Sequence, residues 1–156
     1  MGDTNIRPAT PADIGELARL RWHLYTERRS HDEPFESYVE RFTAFATEAL
    51  ARAEWHAWVA EVDGRVVGAM WLQSVPRVPA PGRGEARPIG YLTNAFVEPA
   101  HRSRGVSSQL LRTVADHCEA TDHVMMVAWP ADDAYGFYER NGFTRPPDPM
   151  VHRLGN

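Results

Sequence analysis

The chain has 156 residues and 43% hydrophobic content, which suits one compact domain with a buried core. Its net charge of -4, from 21 acidic and 17 basic side chains, argues against nucleic-acid binding through a basic surface. No apolar run approaches the roughly 18 residues that span a bilayer, and the single Cys118 cannot form an internal disulfide. We therefore expect one domain over residues 1–156, cytoplasmic and reduced, with no membrane function.

A short strand and two helices are predicted in the first third of the chain. The strand covers residues 5–7. Residues 10–13, TPAD, are typical of a helix start, with a hydroxyl cap, a proline in the first turn and an acid near the positive end of the dipole. A second helix is predicted over residues 35–50, where apolar side chains recur three or four positions apart.

A β-hairpin and a long loop follow. Residues 55–62 and 65–75 are rich in β-branched and aromatic side chains, and they flank Asp63-Gly64, a two-residue turn signal. We expect two antiparallel strands. Residues 76–88 contain too many prolines and glycines for regular structure, so they are predicted to form a loop.

The last part of the chain is predicted to alternate strands and helices. Residues 124–129 are continuously apolar, as expected of a strand covered on both faces, and residues 106–118 carry a helical apolar stripe. The pattern predicts an α+β fold with a mixed sheet. The predicted elements are strand 89–97, turn 98–105, helix 106–118, strand 124–129, helix 132–140 and edge strand 150–154.

The turn from Arg102 to Ser107, RSRGVS, joins a predicted strand to the beginning of a helix. Backbone N–H groups at a helix start lack intrahelical partners. Gly105 allows the backbone to approach an anion closely, Ser107 is small, and Arg102 and Arg104 add positive charge. The residues alone suit either a phosphate site or a structural turn.

Two motifs resemble those of the GCN5-related N-acetyltransferase (GNAT) family. In FVEPAHRSRGVSSQLL, the residues Arg102, Gly105 and Ser107 occupy the positions of the family's acetyl-CoA-binding motif. In the second, VMMVAW is followed by Phe137-Tyr138 and then Gly142-Phe143. The resemblance is strongest over residues 89–143, and the rest of the chain matches in the order of its elements.

The resemblance implies a mixed, mostly antiparallel sheet of about six to seven strands flanked by about four helices, with a splayed parallel strand pair. It implies transfer of an acetyl group from acetyl-CoA to a primary amine of a small molecule, by direct attack in a ternary complex. A protein N-terminus or lysine is an alternative acceptor. A non-catalytic acyl-CoA-binding sensor is an alternative of another class.

Site residues follow from the same resemblance. Tyr138 is the expected acid that protonates the departing CoA thiolate, and a backbone N–H near Ala95 or Phe96 is expected to polarise the acyl carbonyl. The residues expected to bind acetyl-CoA are Phe96, Val97, Arg102, Ser103, Arg104, Gly105, Val106, Ser107, Ser108, Ala134 and Phe137.

The sequence departs from the family pattern at three places. Ser107 stands where glycine or alanine is usual, and Ala131 stands where many relatives have an asparagine. The strand at 89–97 has no carboxylate before Glu98 to act as a general base. The candidates for that base, each more typical of a surface group, are Asp32, Glu33, Glu36, His56 and Glu61.

The acceptor side is predicted from weaker signals. Loops 26–36 and 76–88 are expected to flank the opening. The resemblance leaves a homodimer open, with the last strand as its candidate contact. The seven histidines lack paired-ligand spacing, so no metal is expected. The side chains proposed to contact the acceptor are Asn94, Glu33, Trp71 and Trp129.

Overall fold

A computed structural model describes residues 2–145 and 150–154. Its strands form one sheet in the order β1-β2-β3-β4-β5, antiparallel except for the parallel pair β4 and β5. The predicted α+β class with a mixed sheet is confirmed. The elements are β1 (Thr4–Pro8), α1 (Ile14–Thr26), α2 (Phe35–Leu50), β2 (Trp55–Val62), β3 (Arg65–Val75), β4 (Ile89–Val97), α3 (Val106–Ala120), β5 (Met125–Ala128) and α4 (Tyr135–Arg140).

The C-terminal end differs from the prediction. The described part of the chain has five strands rather than six to seven, and the edge strand predicted at 150–154 is wrong, because these residues form no strand. Residues 150–154 are exposed and bury no apolar face against the sheet. The short helix begins at Tyr135 rather than Asp132, because the Ala134 N–H first closes a turn on the Ala131 carbonyl at 2.8 Å.

Side chains alternate between two apolar cores, one on each face of the sheet. On β2, Trp58 and Ala60 pack with α3, whereas Ala57 and Val59 pack with α1 and α2. The predicted apolar stripe of α3 is confirmed as part of the first core. Its members are Val106, Leu110, Leu111, Val114 and Cys118. Burial raises the pKa of the Cys118 thiol to about 11, as expected of a buried small hydrophobe rather than a nucleophile.

Strand β4 contains a bulge that reverses its faces. Leu92 and Val97 lie in the same core although they are an odd number of residues apart, and Phe96 lies in the opposite core. The register shifts where Asn94 and Ala95 face a single residue of β3. Asn94 has a φ of +52°, a left-handed conformation that accommodates the extra residue.

The start of α1 is fixed by a buried carboxylate. Asp13 accepts a hydrogen bond from the Thr10 N–H at 2.7 Å and two from Arg7 at 2.7 and 2.9 Å. Arg7 also pairs with Glu61 of β2. The Arg7 guanidinium holds the pKa of Asp13 at about 2. The predicted helix start is confirmed, and it ties α1 to the first two strands.

Candidate acyl-CoA site

Strands β4 and β5 separate halfway along β4. Their pairing runs from Ile89 opposite Met125 to Leu92 opposite Ala128, where β5 ends. Strand β4 continues to Val97 and stays paired with β3 on one edge. Beyond Leu92, the edge that faces β5 has no strand partner within residues 2–145 and 150–154. Unpaired backbone groups on such an edge are available to a ligand. The expected parallel pair is therefore present, and one edge of β4 is open beyond it. We call the space beside this open edge the cleft.

The turn before α3 presents a row of free backbone N–H groups. Gly105 adopts a left-handed φ of +80° and Ser103 one of +59°. The first hydrogen bond of the helix runs from the Gln109 N–H to the Gly105 carbonyl at 2.9 Å. The N–H groups from Ser103 to Ser108 donate to no other described residue. Such a concave run of amides at a helix N-terminus attracts an anion.

Space around Gly105 is open. A Cβ built there meets only the Gln109 side-chain amide, at 4.0 Å. The position therefore favours glycine because of its positive φ, and its open side can admit a ligand. The exposed side chain of Arg104 hydrogen-bonds to none of the residues in 2–145 and 150–154, so its charge is free to face an anion.

Arg102 is engaged by the protein. Its Nε donates to the Val97 carbonyl at 2.8 Å, and a terminal nitrogen pairs with Glu27 at 2.6 Å. Its guanidinium also lies over the Phe96 ring, 5.2 Å from the ring centroid. The motif arginine thus joins the end of β4 to the turn, and its side chain positions the free amides.

The other residues expected at the cofactor contribute mainly through their backbone. Phe96, Val97 and Val106 are buried in the two cores, so only their main chain can face the cleft. Ala134 caps the N-terminus of α4, and Phe137 packs against the core beside α3. The assignment of these positions to acetyl-CoA stays a prediction.

Tyr138 lies on α4 with its ring held on two sides. Phe137 and Phe143 pack edge-on at centroid distances of 5.1 and 5.2 Å. Its carbonyl accepts the N–H groups of Asn141 and Phe143, both at 3.0 Å. The side chain is 9% exposed, and burial raises the pKa of its hydroxyl. Tyr138 is therefore protonated at neutral pH and able to donate.

The residues after α1 bridge the two motif turns. Glu27 pairs with Arg102 in the turn before α3, and Arg28 pairs with Asp133 before α4 at 2.7 Å. These exposed pairs contribute little stability, about 0–1 kcal/mol each. Their geometry nevertheless places the α1–α2 connection beside both sides of the cleft.

Two of the four carboxylates proposed as general bases are held by arginines. Glu33 pairs with Arg41 at 2.7 Å, and Glu61 pairs with Arg7. Glu98, at the end of β4, accepts a hydrogen bond from Arg19 at 2.5 Å. Asp32 and Glu36 are exposed near the start of α2. None of these carboxylates is brought onto the free edge of β4.

The residues proposed for the acceptor separate into different environments. Trp71 is 3% exposed and packs against Phe42 and Trp55, so its assignment to the acceptor is wrong and it belongs to the core. Trp129 is 64% exposed just after β5, edge-on to Tyr91. Asn94 forms the β4 bulge, a feature that sequence periodicity did not reveal.

Three histidines cluster away from the cleft. The rings of His56 and His117 lie 4.6 Å apart, near the C-terminal end of α3, and His123 lies 6.3 Å from His117. His123 hydrogen-bonds to the hydroxyls of Ser74 and Thr121. His56 is thus distant from the turn that begins α3. Across residues 2–145 and 150–154, no three His, Cys, Asp or Glu side chains are arranged to hold a metal ion.

This cluster predicts a pH-dependent stability. Burial is the largest cause that lowers the pKa of His56 and His117 below 6.5, and repulsion from His123 adds to it at both residues. The unfolded chain therefore binds more protons than the folded protein below pH 6.5. The free energy of unfolding decreases as the pH is lowered, by at most about 1.4 kcal/mol per pH unit for each histidine. Urea titrations from pH 7.5 to 5 should show a shallower slope for His117→Gln. The exposed control His23→Gln should match wild type, and an unchanged slope in His117→Gln contradicts the prediction.

The cleft beside the open edge of β4 lies next to a row of free amides. This arrangement suits an elongated ligand that carries an anionic group. The acetyltransferase (GNAT) family model matches residues 15–143. The chain therefore belongs to the GNAT family. No helix in the described part of the chain has the length and apolarity needed to cross a membrane.

Individual relatives agree with this assignment. An aminoglycoside N(6')-acetyltransferase type 1 from Stenotrophomonas maltophilia is 33% identical over 110 residues, which are 70% of this chain and 63% of that relative. The match thus spans less than two thirds of the relative. A predicted acetyltransferase from Clostridium acetobutylicum, solved with acetyl-CoA, superposes with a TM-score of 0.81 at 19% identity over 97% of each chain. An aminoglycoside N-acetyltransferase in complex with CoA superposes with a TM-score of 0.77 at 18% identity, over 99% of this chain and 96% of that one.

Proposed function

We propose that this chain is an enzyme that transfers an acetyl group from acetyl-CoA to a primary amine of a small molecule, in the cytoplasm. The observation that carries the proposal is the row of free amides from Ser103 to Ser108 beside the open edge of β4. A pyrophosphate suits these amides, and an extended arm suits the unpaired strand edge. The 33% identical aminoglycoside N(6')-acetyltransferase supports a small-molecule acceptor.

The chain's own residues would act as follows. The amides from Ser103 to Ser108 bind the pyrophosphate, and a backbone N–H near Ala95 or Phe96 polarises the acyl carbonyl. The neutral acceptor amine forms a bond to the acyl carbon as the thioester C–S bond breaks. Tyr138 gives its hydroxyl proton to the departing thiolate. We assign the proton lost by the amine to water, and solvent returns a proton to the Tyr138 phenolate, because Glu98 and Glu33 are both paired with arginines.

Release of CoA thiol from acetyl-CoA tests this function across a library of small amines, aminoglycosides and peptides with a free N-terminus or lysine. We expect amine-dependent thiol release with small amines. Release only with peptides would favour the protein acceptor. Thermal stabilisation by acetyl-CoA without release on any amine would contradict the enzyme and favour a sensor.

A further inference from the structure

A second open pocket lies between α1 and α2. Its volume is about 270 Å³, and aromatic rings form its walls. Trp22 lies 4.5 Å from His31 and 5.4 Å from Tyr38, measured between ring centroids. Tyr25 of this pocket lies two residues before Glu27, whose carboxylate pairs with Arg102. The pocket is therefore next to the segment that bridges the proposed acetyl-CoA cleft.

Two hydrogen-bond donors in this pocket have no acceptor in the part of the chain that the structure describes. The Tyr38 hydroxyl is buried and has no hydrogen-bond partner among the described residues. Arg21 contacts the Tyr25 ring face at 5.9 Å, and its guanidinium forms no ion pair within residues 2–145 and 150–154. A buried unpaired hydroxyl is costly. The Tyr38 hydroxyl can donate to an oxygen acceptor, and the Arg21 guanidinium favours one that carries negative charge.

The charge of the pocket disfavours a polycation. Its carboxylate, Glu33, is already bound by Arg41 through two terminal N–H contacts at 2.7 Å and one from Nε at 3.0 Å. With Arg21 added, the lining residues carry a net positive charge. An acceptor with several amines would meet repulsion there, whereas an anionic group would meet two donors.

We infer that the pocket between α1 and α2 binds a carboxylate of the acceptor, through the Arg21 guanidinium and the Tyr38 hydroxyl, so that the substrate is an amine that also carries an acid group. This inference rests on the proposed function, and it narrows the substrate class. The aromatic walls hold the apolar body of such a molecule. The amine is left to reach the cleft beyond Glu27.

Paired substrates test the inference through turnover. Amino acids are assayed for CoA thiol release. Each is compared with the amine of the same structure without the carboxylate, for example L-phenylalanine with 2-phenylethylamine. We expect kcat/KM to favour the amino acids. Arg21→Gln and Tyr38→Phe should each lower kcat/KM for the amino acids about 10-fold or more and change that for the plain amines little. The exposed control Arg65→Gln removes the same charge and should leave both unchanged.

A binding measurement separates this inference from the proposed function. Phenylacetate should stabilise the wild-type protein and Arg65→Gln in thermal unfolding, more than 2-phenylethanol does, and should not stabilise Arg21→Gln. Absence of turnover on every amine contradicts the acetyltransferase proposal. In that case the phenylacetate shift still tests whether the pocket binds a carboxylate. A preference for plain amines, an equal loss on both members of a pair in Arg21→Gln, or no phenylacetate shift overturns the carboxylate site.

Discussion

Gly105→Val is expected to weaken acetyl-CoA binding by about 100-fold or more. Valine is strongly disfavoured at the φ of +80° that Gly105 adopts, so the turn must change its backbone. That change redirects the free amides from Ser103 to Ser108, each of which can form a charge-assisted hydrogen bond to an anion. Loss of two such bonds weakens binding by about 100-fold or more. Isothermal titration with acetyl-CoA measures this effect.

Gly64→Val provides a matched control for backbone strain. Gly64 has a φ of +75° in the turn between β2 and β3, and a Cβ there also meets open space. Both variants should lose about 1–3 kcal/mol of unfolding free energy. Only Gly105→Val should lose acetyl-CoA binding. Wild-type affinity in a folded Gly105→Val protein would mean that the turn is purely structural.

Tyr138→Phe is expected to lower kcat by about 100-fold, within the range of a general acid. The substitution removes one oxygen and leaves the ring packed between Phe137 and Phe143, so acetyl-CoA binding should be unchanged. The thiolate would then leave without its proton donor. Single-turnover thiol release with an amine that supports turnover measures the chemical step.

Tyr135→Phe on the same helix controls for loss of a phenol. Tyr135 is the first residue of α4, and Arg145 lies 4.3 Å from its ring centroid, so its ring is held by a contact that phenylalanine preserves. Turnover should remain at the wild-type level. An equal rate in Tyr138→Phe and wild type would remove Tyr138 from the mechanism.

Local patterns predicted most of the fold. The helix over residues 35–50 and the stripe from Val106 to Cys118 follow from apolar spacing, and they were confirmed. Asp63-Gly64 predicted the hairpin, and both residues have the positive φ that such a turn requires. The terminal strand at 150–154 was wrong because its five residues carry no information about a pairing partner.

The site was predicted less completely. The turn from Arg102 to Ser107 was found through its motif, but the contacts of Arg102 with Val97 and Glu27 were not, since they join residues distant in sequence. Trp71 was misplaced because aromatic residues suit a pocket and a core equally. The pocket of Arg21 and Tyr38 has no signal in either helix alone, because its two donors meet only when α1 packs on α2.

The sequence by itself determined which segments form helices and strands and where an anion-binding turn begins, because periodicity and glycine conformation are local properties. The tertiary structure alone decided where β4 parts from β5, how Asn94 bulges, and which arginines remain unpaired within residues 2–145 and 150–154. These depend on partners supplied by other strands and helices. The proposed acetyl-CoA site therefore follows largely from a local motif, whereas the proposed acceptor pocket is created by the packing of α1 on α2.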